Sequence, residues 1–401
     1  MKIISVVGAR PNFIKIAPFI KAINSYNQQL NANKFPPLEL VPPQREGIKG
    51  GLDHILVHTG QHYDDRMSRN FFRDLDIPEA DINLEIGSGT NAEQVGLTMI
   101  AFEKVIKEHK PDWVVVVGDV NATLACSITA KKEWIKCCHI EAGLRSGDMK
   151  MPEEINRLVT DRVCDLLFTP DSIANENLIK EGISLDKICL VGNIMIDTLE
   201  QNRLKAESFG PDSILKNNLL RNQKLPDIID EKYALITLHR PSNVDNKEIL
   251  YQLIQFISDT VTKDLLVIWP IHPRTYKNIH QFGLLKQLES NNDIILTHPL
   301  GYHEMLRLNM GAKIMLTDSG GLQDECTILG TPCLTLRINT ERPVTLRQNG
   351  GVNVLVGNDI DSIRKEYKEA LSRKREPLRP ELWDGKTAGR IINELVNYPI
   401  L

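Results

Sequence analysis

The stretch IMLTDSGGLQDECTILGTPCLTLRINTERP, residues 314–343, decides the fold predicted for the second half of the chain. Its apolar beginning predicts a buried strand, and the polar turn Thr-Asp-Ser-Gly-Gly leads into a helix predicted over residues 322–329. Glycines at a helix start let the backbone approach an anion closely, and the unpaired N–H groups there favour negative charge. The turn is therefore predicted to bind phosphate through Ser319, Gly320 and Gly321.

Two charged residues near this turn extend the prediction from a phosphate to a nucleotide. Glu325 lies in the first turns of the predicted helix, where its carboxylate could accept hydrogen bonds from ribose hydroxyls. Arg342, further along the stretch, is suited to a phosphate or a carboxylate. An ordinary glycine-rich turn would explain Ser-Gly-Gly alone, but the two charged residues at these spacings favour a nucleotide diphosphate.

The bulk properties indicate an ordinary globular protein of about two domains. The chain has 401 residues, of which 42% are hydrophobic and 25% charged, and its formal net charge is −4. This balance gives no electrostatic reason to expect nucleic acid or a membrane surface as a partner. No apolar run approaches the ~18 residues of a membrane span. Seven cysteines without a CxxC motif are typical of reduced thiols, so we expect a cytoplasmic protein.

Strand and helix patterns alternate along the whole chain. Strands are predicted at residues 3–7, 54–58, 113–117, 137–140, 166–169 and 188–191, and then at 234–238, 266–271, 294–296, 314–316 and 333–336. Such alternation predicts parallel sheets with helices on both faces. We expect an α/β protein of two doubly wound Rossmann-like domains: 1–193, joined by a last helix within about 381–401, and 194–380. Two polar tracts, 27–53 and 209–226, are predicted to be loops.

Polar residues follow the ends of many of these strands, where open α/β sheets bind their ligands. They are Arg10, Asp119, Glu141, His239, His272 and Ser319. Each residue alone could be structural, but six of them at strand ends in two sheets indicate an active site. Asp119, Glu141 and Glu153 would bring several carboxylates into one site, which favours proton transfer near neutral pH.

Two other kinds of site are weighed against this one. Residues 87–92 imitate the GxGxxA dinucleotide fingerprint, but they do not belong to the first strand–turn–helix unit, so dinucleotide binding is not predicted. Carboxylates and histidines also bind metals, but the sequence contains no HExxH or similar cluster. We predict neither a metal nor a cofactor.

The motifs of the chain resemble one family of sugar-nucleotide enzymes. They are GARPNFIKIAP (8–18), TGQH (59–62), VGD (117–119), EAGLR (141–145), PEEINR (152–157), HR (239–240), DSGG (318–321) and TERP (340–343). Their order and rough spacing resemble the non-hydrolysing UDP-N-acetylglucosamine 2-epimerases over nearly the whole chain. The resemblance implies a glycosyltransferase-B-type fold with the site in the interdomain cleft and the last helix crossing back to the N-terminal domain. It also implies a homodimer and the interconversion of UDP-N-acetylglucosamine with UDP-N-acetylmannosamine.

The resemblance also implies roles for individual residues. The catalytic residues would be Asp119, Glu141, Glu153 and His239, and the substrate-binding residues would be Arg10, Lys15, Met305, Ser319, Gly320, Gly321, Glu325 and Arg342. Gln61 and His62 resemble part of the second, allosteric UDP-sugar site of bacterial members. No role in binding nucleic acid or membrane is implied.

Some positions depart from the family pattern. His239-Arg240 is followed by Pro-Ser-Asn-Val-Asp, which resembles a branch that includes epimerases of modified UDP-sugars such as diacetamido-uronates. Met305 stands where an aromatic residue is common, and Tyr63 where an arginine is usual. A glycosyltransferase of the same fold, a hydrolysing epimerase and a UDP-sugar-binding regulator without turnover are the alternatives.

Overall fold

The computed structural model describes residues 1–31, 50–60, 74–221 and 225–399, apart from the side chains of residues 10, 11 and 31. The chain forms two compact units. The first comprises Met1–Glu200 with Pro380–Leu401, and the second comprises Gln201–Arg379. Each unit is built on its own parallel sheet with flanking helices, which confirms the predicted α/β class with two Rossmann-like domains.

The sheet of the first unit has seven parallel strands in the order β3-β2-β1-β4-β5-β6-β7. They are β1 (Lys2–Val7), β2 (Asp53–His58), β3 (Ile82–Asn83), β4 (Trp113–Val117), β5 (Lys136–Ile140), β6 (Leu166–Thr169) and β7 (Ile188–Leu190). All five residues of β4, WVVVV, are buried. A continuous apolar run of this kind is typical of a parallel strand covered on both faces.

The helices of the first unit connect these strands. They are α1 (Arg10–Asn31), α2 (Asn91–His109), α3 (Asn121–Lys132), α4 (Pro152–Val163), α5 (Ser172–Lys180) and α6 (Ile194–Glu207), with a 3-10 turn at Leu185–Lys187. Helix α2 begins with a capping box between Thr90 and Glu93, which satisfies two of the amides that a helix start leaves unpaired.

The second unit has a six-stranded parallel sheet in the order β10-β9-β8-β11-β12-β13. Its strands are β8 (Tyr233–Thr237), β9 (Leu266–Pro270), β10 (Ile294–Thr297), β11 (Ile314–Thr317), β12 (Cys333–Thr335) and β13 (Asn353–Leu355). Its helices are α7 (Pro211–Asn218), α8 (Pro241–Val244), α9 (Lys247–Phe256), α10 (Thr262–Asp264), α11 (Pro273–Gln281), α12 (Leu285–Glu289), α13 (Tyr302–Gly311), α14 (Gly320–Leu329) and α15 (Ile360–Ser372). A π-helical turn joins α9 to α10 at Ile257–Val261, and 3-10 turns lie at Pro343–Thr345 and Arg347–Asn349.

The second sheet is covered on both faces, as β8 shows. Ala234 and Ile236 belong to one hydrophobic cluster, and Tyr233 and Leu235 belong to another. Because successive side chains of a strand point to opposite faces, these two clusters are the two cores of a doubly wound sheet.

The last helix, α16 (Thr387–Asn397), belongs to the first unit and packs against α1. Its start is held by Asp197, whose carboxylate accepts hydrogen bonds from the amides of Thr387 at 3.0 Å and Ala388 at 2.8 Å. Burial raises the pKa of Asp197 to about 6, although these amides act in the opposite direction. A buried carboxylate therefore satisfies amides that the helix leaves unpaired.

Three details of the sequence prediction are wrong. The tract 27–53 is not all loop, because α1 continues to Asn31 and β2 already begins at Asp53. The tract 209–226 contains α7, whose Ile214 and Leu215 are buried in the core despite the polar residues around them. The first unit extends to Glu200 instead of 193, since the first half of α6 carries the side chain that holds α16.

Among the described residues, no helix combines the length and the apolar character needed to cross a membrane.

Candidate active site

The strand order of each sheet reverses at one point, and the predicted polar residues gather there. In the first sheet the reversal lies between β1 and β4; α1, which carries Lys15, follows β1, and Asp119 follows β4. In the second sheet it lies between β8 and β11; His239 follows β8, and Ser319 follows β11. The crevice outside the strand ends at such a switch point is the usual ligand site of open α/β sheets.

The first unit buries an ion pair between Lys15 and Glu141, each of them only 5% exposed. Asn12 fixes the start of α1, because its Oδ1 accepts a hydrogen bond from the Gly8 amide at 3.0 Å and its Nδ2 donates to the Val117 carbonyl at 2.8 Å. The turn after β1 is thereby tied to the end of β4. Lys15, one helical turn further along, reaches the carboxylate that follows β5.

Gly118 ends β4 in a conformation that only glycine adopts without strain, with φ of +68°. A Cβ atom there would lie 2.8 Å from Lys15 Nζ and 3.6 Å from Glu141 Oε2. The backbone of Gly118 therefore packs directly against the ion pair. Asp119 is the next residue in the chain.

Helix α4 holds the carboxylate of Asp119. Arg157 donates to Asp119 Oδ2 from Nη2 at 2.7 Å and from Nε at 3.1 Å, and it also pairs with the buried Glu154. Asn156 donates to the main-chain carbonyl of Asp119 at 2.8 Å. The side chain and the backbone of Asp119 are thus both fixed by one helix.

Glu153 differs from the other two predicted carboxylates. It lies in the first turn of α4 and is half-buried. Its side chain makes no hydrogen bond or ion pair with any other residue that the structure describes, whereas Asp119 and Glu141 are each bound to a cation. Glu153 is therefore the carboxylate least held by its surroundings.

The second unit places His239 against a wholly buried carboxylate, Asp318. His239 Nδ1 lies 2.8 Å from Asp318 Oδ1, and Asp318 also accepts from the Arg240 amide at 2.9 Å and from Asn243 Nδ2 at 3.0 Å. Burial alone would raise the pKa of Asp318, but the hydrogen bond and charge of His239 and the other donors hold that pKa below its ordinary value. The His239 side chain itself is 41% exposed, so an ionised Asp318 orients a ring that solvent can reach.

The 319–321 turn begins α14 as predicted. Ser319 is the residue before the first helical turn and makes no side-chain cap hydrogen bond, and Gly320 and Gly321 are half-buried. A Cβ atom on Gly320 would lie 2.5 Å from Glu341 Oε1, so this position has no room for a side chain. Unpaired first-turn amides beside such glycines form a site suited to phosphate.

Glu325 and Arg342 are both buried near this turn. Arg342 Nε lies 2.9 Å from Asp324 Oδ2 and 3.2 Å from the Gly320 carbonyl, so the arginine is tied to the glycine turn itself. Burial, reinforced by the charge of Asp324, raises the pKa of Glu325 to about 7. Met305, on α13, is half-buried and packs against the second unit's core.

A comparison with known families identifies the chain. The family model described as UDP-N-acetylglucosamine 2-epimerase matches residues 47–396. The chain belongs to this family. The predicted resemblance is therefore confirmed.

Individual relatives cover nearly the whole chain. The UDP-N-acetylglucosamine 2-epimerase of Methanocaldococcus jannaschii is 41% identical over 396 residues, which are 98% of this chain and 99% of the relative. A crystal structure of the enzyme from that organism, in complex with UDP-GlcNAc and UDP, matches with a TM-score of 0.84 and 40% identity over 98% of this chain and 99% of that one. The UDP-2,3-diacetamido-2,3-dideoxy-D-glucuronate 2-epimerase of Pseudomonas aeruginosa is 36% identical, over 98% of this chain and 99% of the relative.

The structure describes most, though not all, of the residues predicted for an epimerase site. Gln61 and His62 lie outside the described residues, and so does the side chain of Arg10, whose backbone begins α1. His272 is close to His239, with 5.5 Å between the ring centroids. The roles of all these residues remain predictions.

Sequence reasoning missed two residues of this epimerase-family site. Arg157 and Asp318 lie inside the motifs PEEINR and DSGG, but the sequence analysis assigns no role to either residue. For Asp318 a signal was available, because a carboxylate that directly follows a buried strand has to be satisfied by neighbours. For Arg157 the signal was its position four residues after Glu153 on one helix.

Proposed function

We propose that this protein interconverts UDP-N-acetylglucosamine and UDP-N-acetylmannosamine without net hydrolysis. The observation that carries the proposal is a pair of carboxylates in the first unit. Asp119 and Glu141 are each bound to a cation, and both lie next to Gly118 at the switch point of the sheet. The names of the relatives, among them the Methanocaldococcus jannaschii enzyme, support the substrate.

The chemistry of the sugar dictates the route. The C2 proton of an N-acetylhexosamine is not next to a carbonyl, so simple deprotonation is too costly. In the proposed reaction a carboxylate removes the C2 proton while the C1–O bond to UDP breaks, which gives 2-acetamidoglucal and free UDP. A second acid then delivers a proton to the other face of C2, and UDP adds back to C1. Base and acid are required on opposite faces, as several carboxylates can provide.

The three carboxylates of the first unit differ in how their charges are compensated. Lys15 and Arg157 compensate the charges of Glu141 and Asp119, which allows like charges to lie close together. Glu153 has no such partner among the described residues. We assign Asp119, Glu141 and Glu153 to proton transfer as a group.

The second unit would receive the leaving diphosphate. The amides of the 319–321 turn and the guanidinium of Arg342 are donors suited to the charge that develops when the C1–O bond breaks. His239, oriented by Asp318, would donate to the same oxygens. Glu325 would accept from the ribose, and Met305 would line the site of the base.

Two observations favour a second candidate substrate, a modified UDP-sugar such as a diacetamido-uronate. The Pseudomonas aeruginosa relative carries that activity in its name, and residues 241–245 resemble that branch. The elimination mechanism would be the same, because the C2 centre is unchanged. We further propose a cytoplasmic homodimer, which the family resemblance supports.

One time course by proton NMR tests the proposal. In D2O, purified protein with UDP-N-acetylglucosamine should form UDP-N-acetylmannosamine that carries deuterium at C2. Free sugar and UDP as final products would identify a hydrolysing epimerase, and stoichiometric transfer to an added acceptor would identify a glycosyltransferase. Epimerised product that keeps its original hydrogen at C2 would exclude the elimination. Turnover of the diacetamido-uronate alone would select the second substrate.

A further inference from the structure

A buried histidine in the first unit has both ring nitrogens against acceptors. His139 is wholly buried on β5. Its Nε2 lies 2.8 Å from the Gly118 carbonyl, and its Nδ1 lies 2.6 Å from Asp161 Oδ1. Each ring nitrogen therefore faces an oxygen of a different element. His139 thus links the end of β4 to helix α4.

Asp161 is the other centre of this network. Its Oδ2 accepts from the Gly143 amide at 3.0 Å and lies 2.7 Å from Arg145 Nη1. Burial would raise the pKa of Asp161, but the charges of His139 and Arg145 and the Gly143 amide hold it below its ordinary value. The carboxylate is therefore ionised, and its two oxygens bind donors on both sides of Glu141 in the chain.

Glu141 itself has an unusual backbone. Its φ is +72°, in the left-handed region that favours glycine and that is strained for a glutamate. Such a conformation persists only where the surroundings impose it. Here the carbonyl before Glu141, that of Ile140, accepts from the Gly118 amide at 3.0 Å, and the amide after it, that of Ala142, donates to Phe168 at 3.1 Å. Gly143, with φ of +80°, is then fixed by Asp161.

One face of helix α4 serves all three predicted carboxylates. Glu153, Arg157 and Asp161 are spaced by four residues, so they follow one another along the same side of the helix. Glu153 is itself one of the carboxylates, and Arg157 holds Asp119. Asp161 completes the series by holding the turn of Glu141.

We infer that Asp161 is a positioning residue for catalysis, which acts through Gly143 and His139 to impose the left-handed turn that directs the Glu141 carboxylate to Lys15. The inference rests on the proposed function, because it assigns Glu141 to proton transfer. Asp161 does not meet the substrate in this scheme. Its effect on turnover comes from where it holds Glu141.

The central test compares two substitutions at Asp161 with one at Asp165, a second carboxylate that contacts β5. Asp161→Ala removes every contact of the network and should lower kcat by ~100-fold, the scale expected for a misplaced catalytic group. Asp161→Asn should stay within about tenfold of the wild type, because its oxygen can still accept from Gly143 and its amide can donate to a neutral His139. UDP affinity, measured by calorimetry, should be unchanged in both.

Asp165→Ala is the matched control. Asp165 accepts from the Cys137 amide at 2.8 Å and from Lys131 at 2.7 Å, so it anchors the opposite end of β5. Its removal should destabilise the protein but leave kcat unchanged. Equal losses of kcat in the Asp161→Ala and Asp165→Ala proteins would overturn the inference, since general destabilisation would then explain both.

A second readout does not depend on turnover. Amide hydrogen exchange followed by mass spectrometry should be faster at residues 141–145 in the Asp161→Ala protein and unchanged there in the Asp165→Ala protein. Unchanged exchange would overturn the inference whatever substrate the protein uses. If the wild type does not convert UDP-N-acetylglucosamine, the proposed substrate fails while this readout still decides the positioning role. Should Asp161→Ala not fold, Asp161→Ser carries the same test, because its short hydroxyl cannot span His139 and Gly143.

A double substitution separates positioning from a wider structural role. If Asp161 acts only through Glu141, adding Asp161→Ala to Glu141→Gln should not lower the residual rate of C2 proton exchange further. A further ~100-fold loss in the double variant, the full effect of Asp161→Ala alone, would contradict the inference.

Discussion

The contact between His239 and Asp318 yields the sharpest prediction, through the substitution Asp318→Asn. The aspartate is 0% exposed and accepts from His239 Nδ1, Arg240 N and Asn243 Nδ2. The asparagine has one acceptor oxygen, which the Arg240 and Asn243 donors require. Its amide group then faces His239 Nδ1, so this nitrogen has to become an acceptor and the ring proton moves to Nε2.

The expected size of the effect follows from these contacts. Losing charge-assisted hydrogen bonds to a buried carboxylate should lower the free energy of unfolding by ~1.5–3 kcal/mol. With an amide in place of the carboxylate, nothing balances a positive charge on His239, so the ring can donate to the leaving diphosphate only as a neutral group, and kcat should fall by the ~100- to 1000-fold that one charge-stabilising donor contributes. UDP-sugar turnover by NMR measures kcat, and urea unfolding measures stability.

The pH dependence of this loss has a definite sign. Because the pKa of Asp318 is lower in the folded protein, its stabilising contribution is present above the unfolded pKa of ~3.9 and is lost as pH falls through the folded pKa. The two proteins should therefore differ in stability at neutral pH and converge on acidification. Asp245→Asn is the control, since Asp245 is an exposed carboxylate of the same unit, paired with Arg274. An Asp318→Asn protein with wild-type kcat would refute the reasoning.

Two further predictions concern buried charges. Lys15→Met removes the cation beside buried Glu141 and should lower the free energy of unfolding in urea by ~3–5 kcal/mol. The double variant Lys15→Met/Glu141→Gln should restore part of this loss, because it no longer buries an unpaired carboxylate. No recovery would contradict the ion-pair explanation. Glu325, with a pKa raised to about 7 from 4.5, holds in the folded state a proton that the unfolded chain has released, so stability falls as pH rises through this window. Glu325→Gln should therefore be more stable than the wild type at pH ~8 by up to ~3 kcal/mol but not at pH ~5, and parallel pH profiles would contradict this.

Much of the architecture was predictable, because long apolar runs have few alternatives. The strand predicted at 113–117 and the strand predicted at 166–169 have the bounds of β4 and β6. Two or three residues carry no recognisable period, so a strand this short can escape prediction, although the three-residue strands β7 and β12 were predicted. β3, with Ile82 and Asn83, and β13, with Asn353–Leu355, are examples at the edges of the sheets.

Polar sequence was the main source of error in the predicted elements. Helix α7 has Ile214 and Leu215 among residues that resemble a loop, and only its packing against the core reveals its buried face. The boundary of the first unit was placed too early for a related reason. Asp197 resembles a surface residue in the sequence, and only the fold brings the start of α16 to it.

The sequence by itself determined the α/β class, the family and the strand ends at which polar residues gather, because hydrophobic periodicity and motif order are local properties of the chain. Only the tertiary structure decided which charges compensate one another. Lys15 and Glu141 are 126 positions apart in the sequence, and the hydrogen bond from His239 to Asp318 joins residues 79 positions apart. It also decided that Glu141 adopts a left-handed backbone conformation. This conformation is unfavourable for an isolated glutamate, and contacts with the end of β4, with β6 and with α4 impose it.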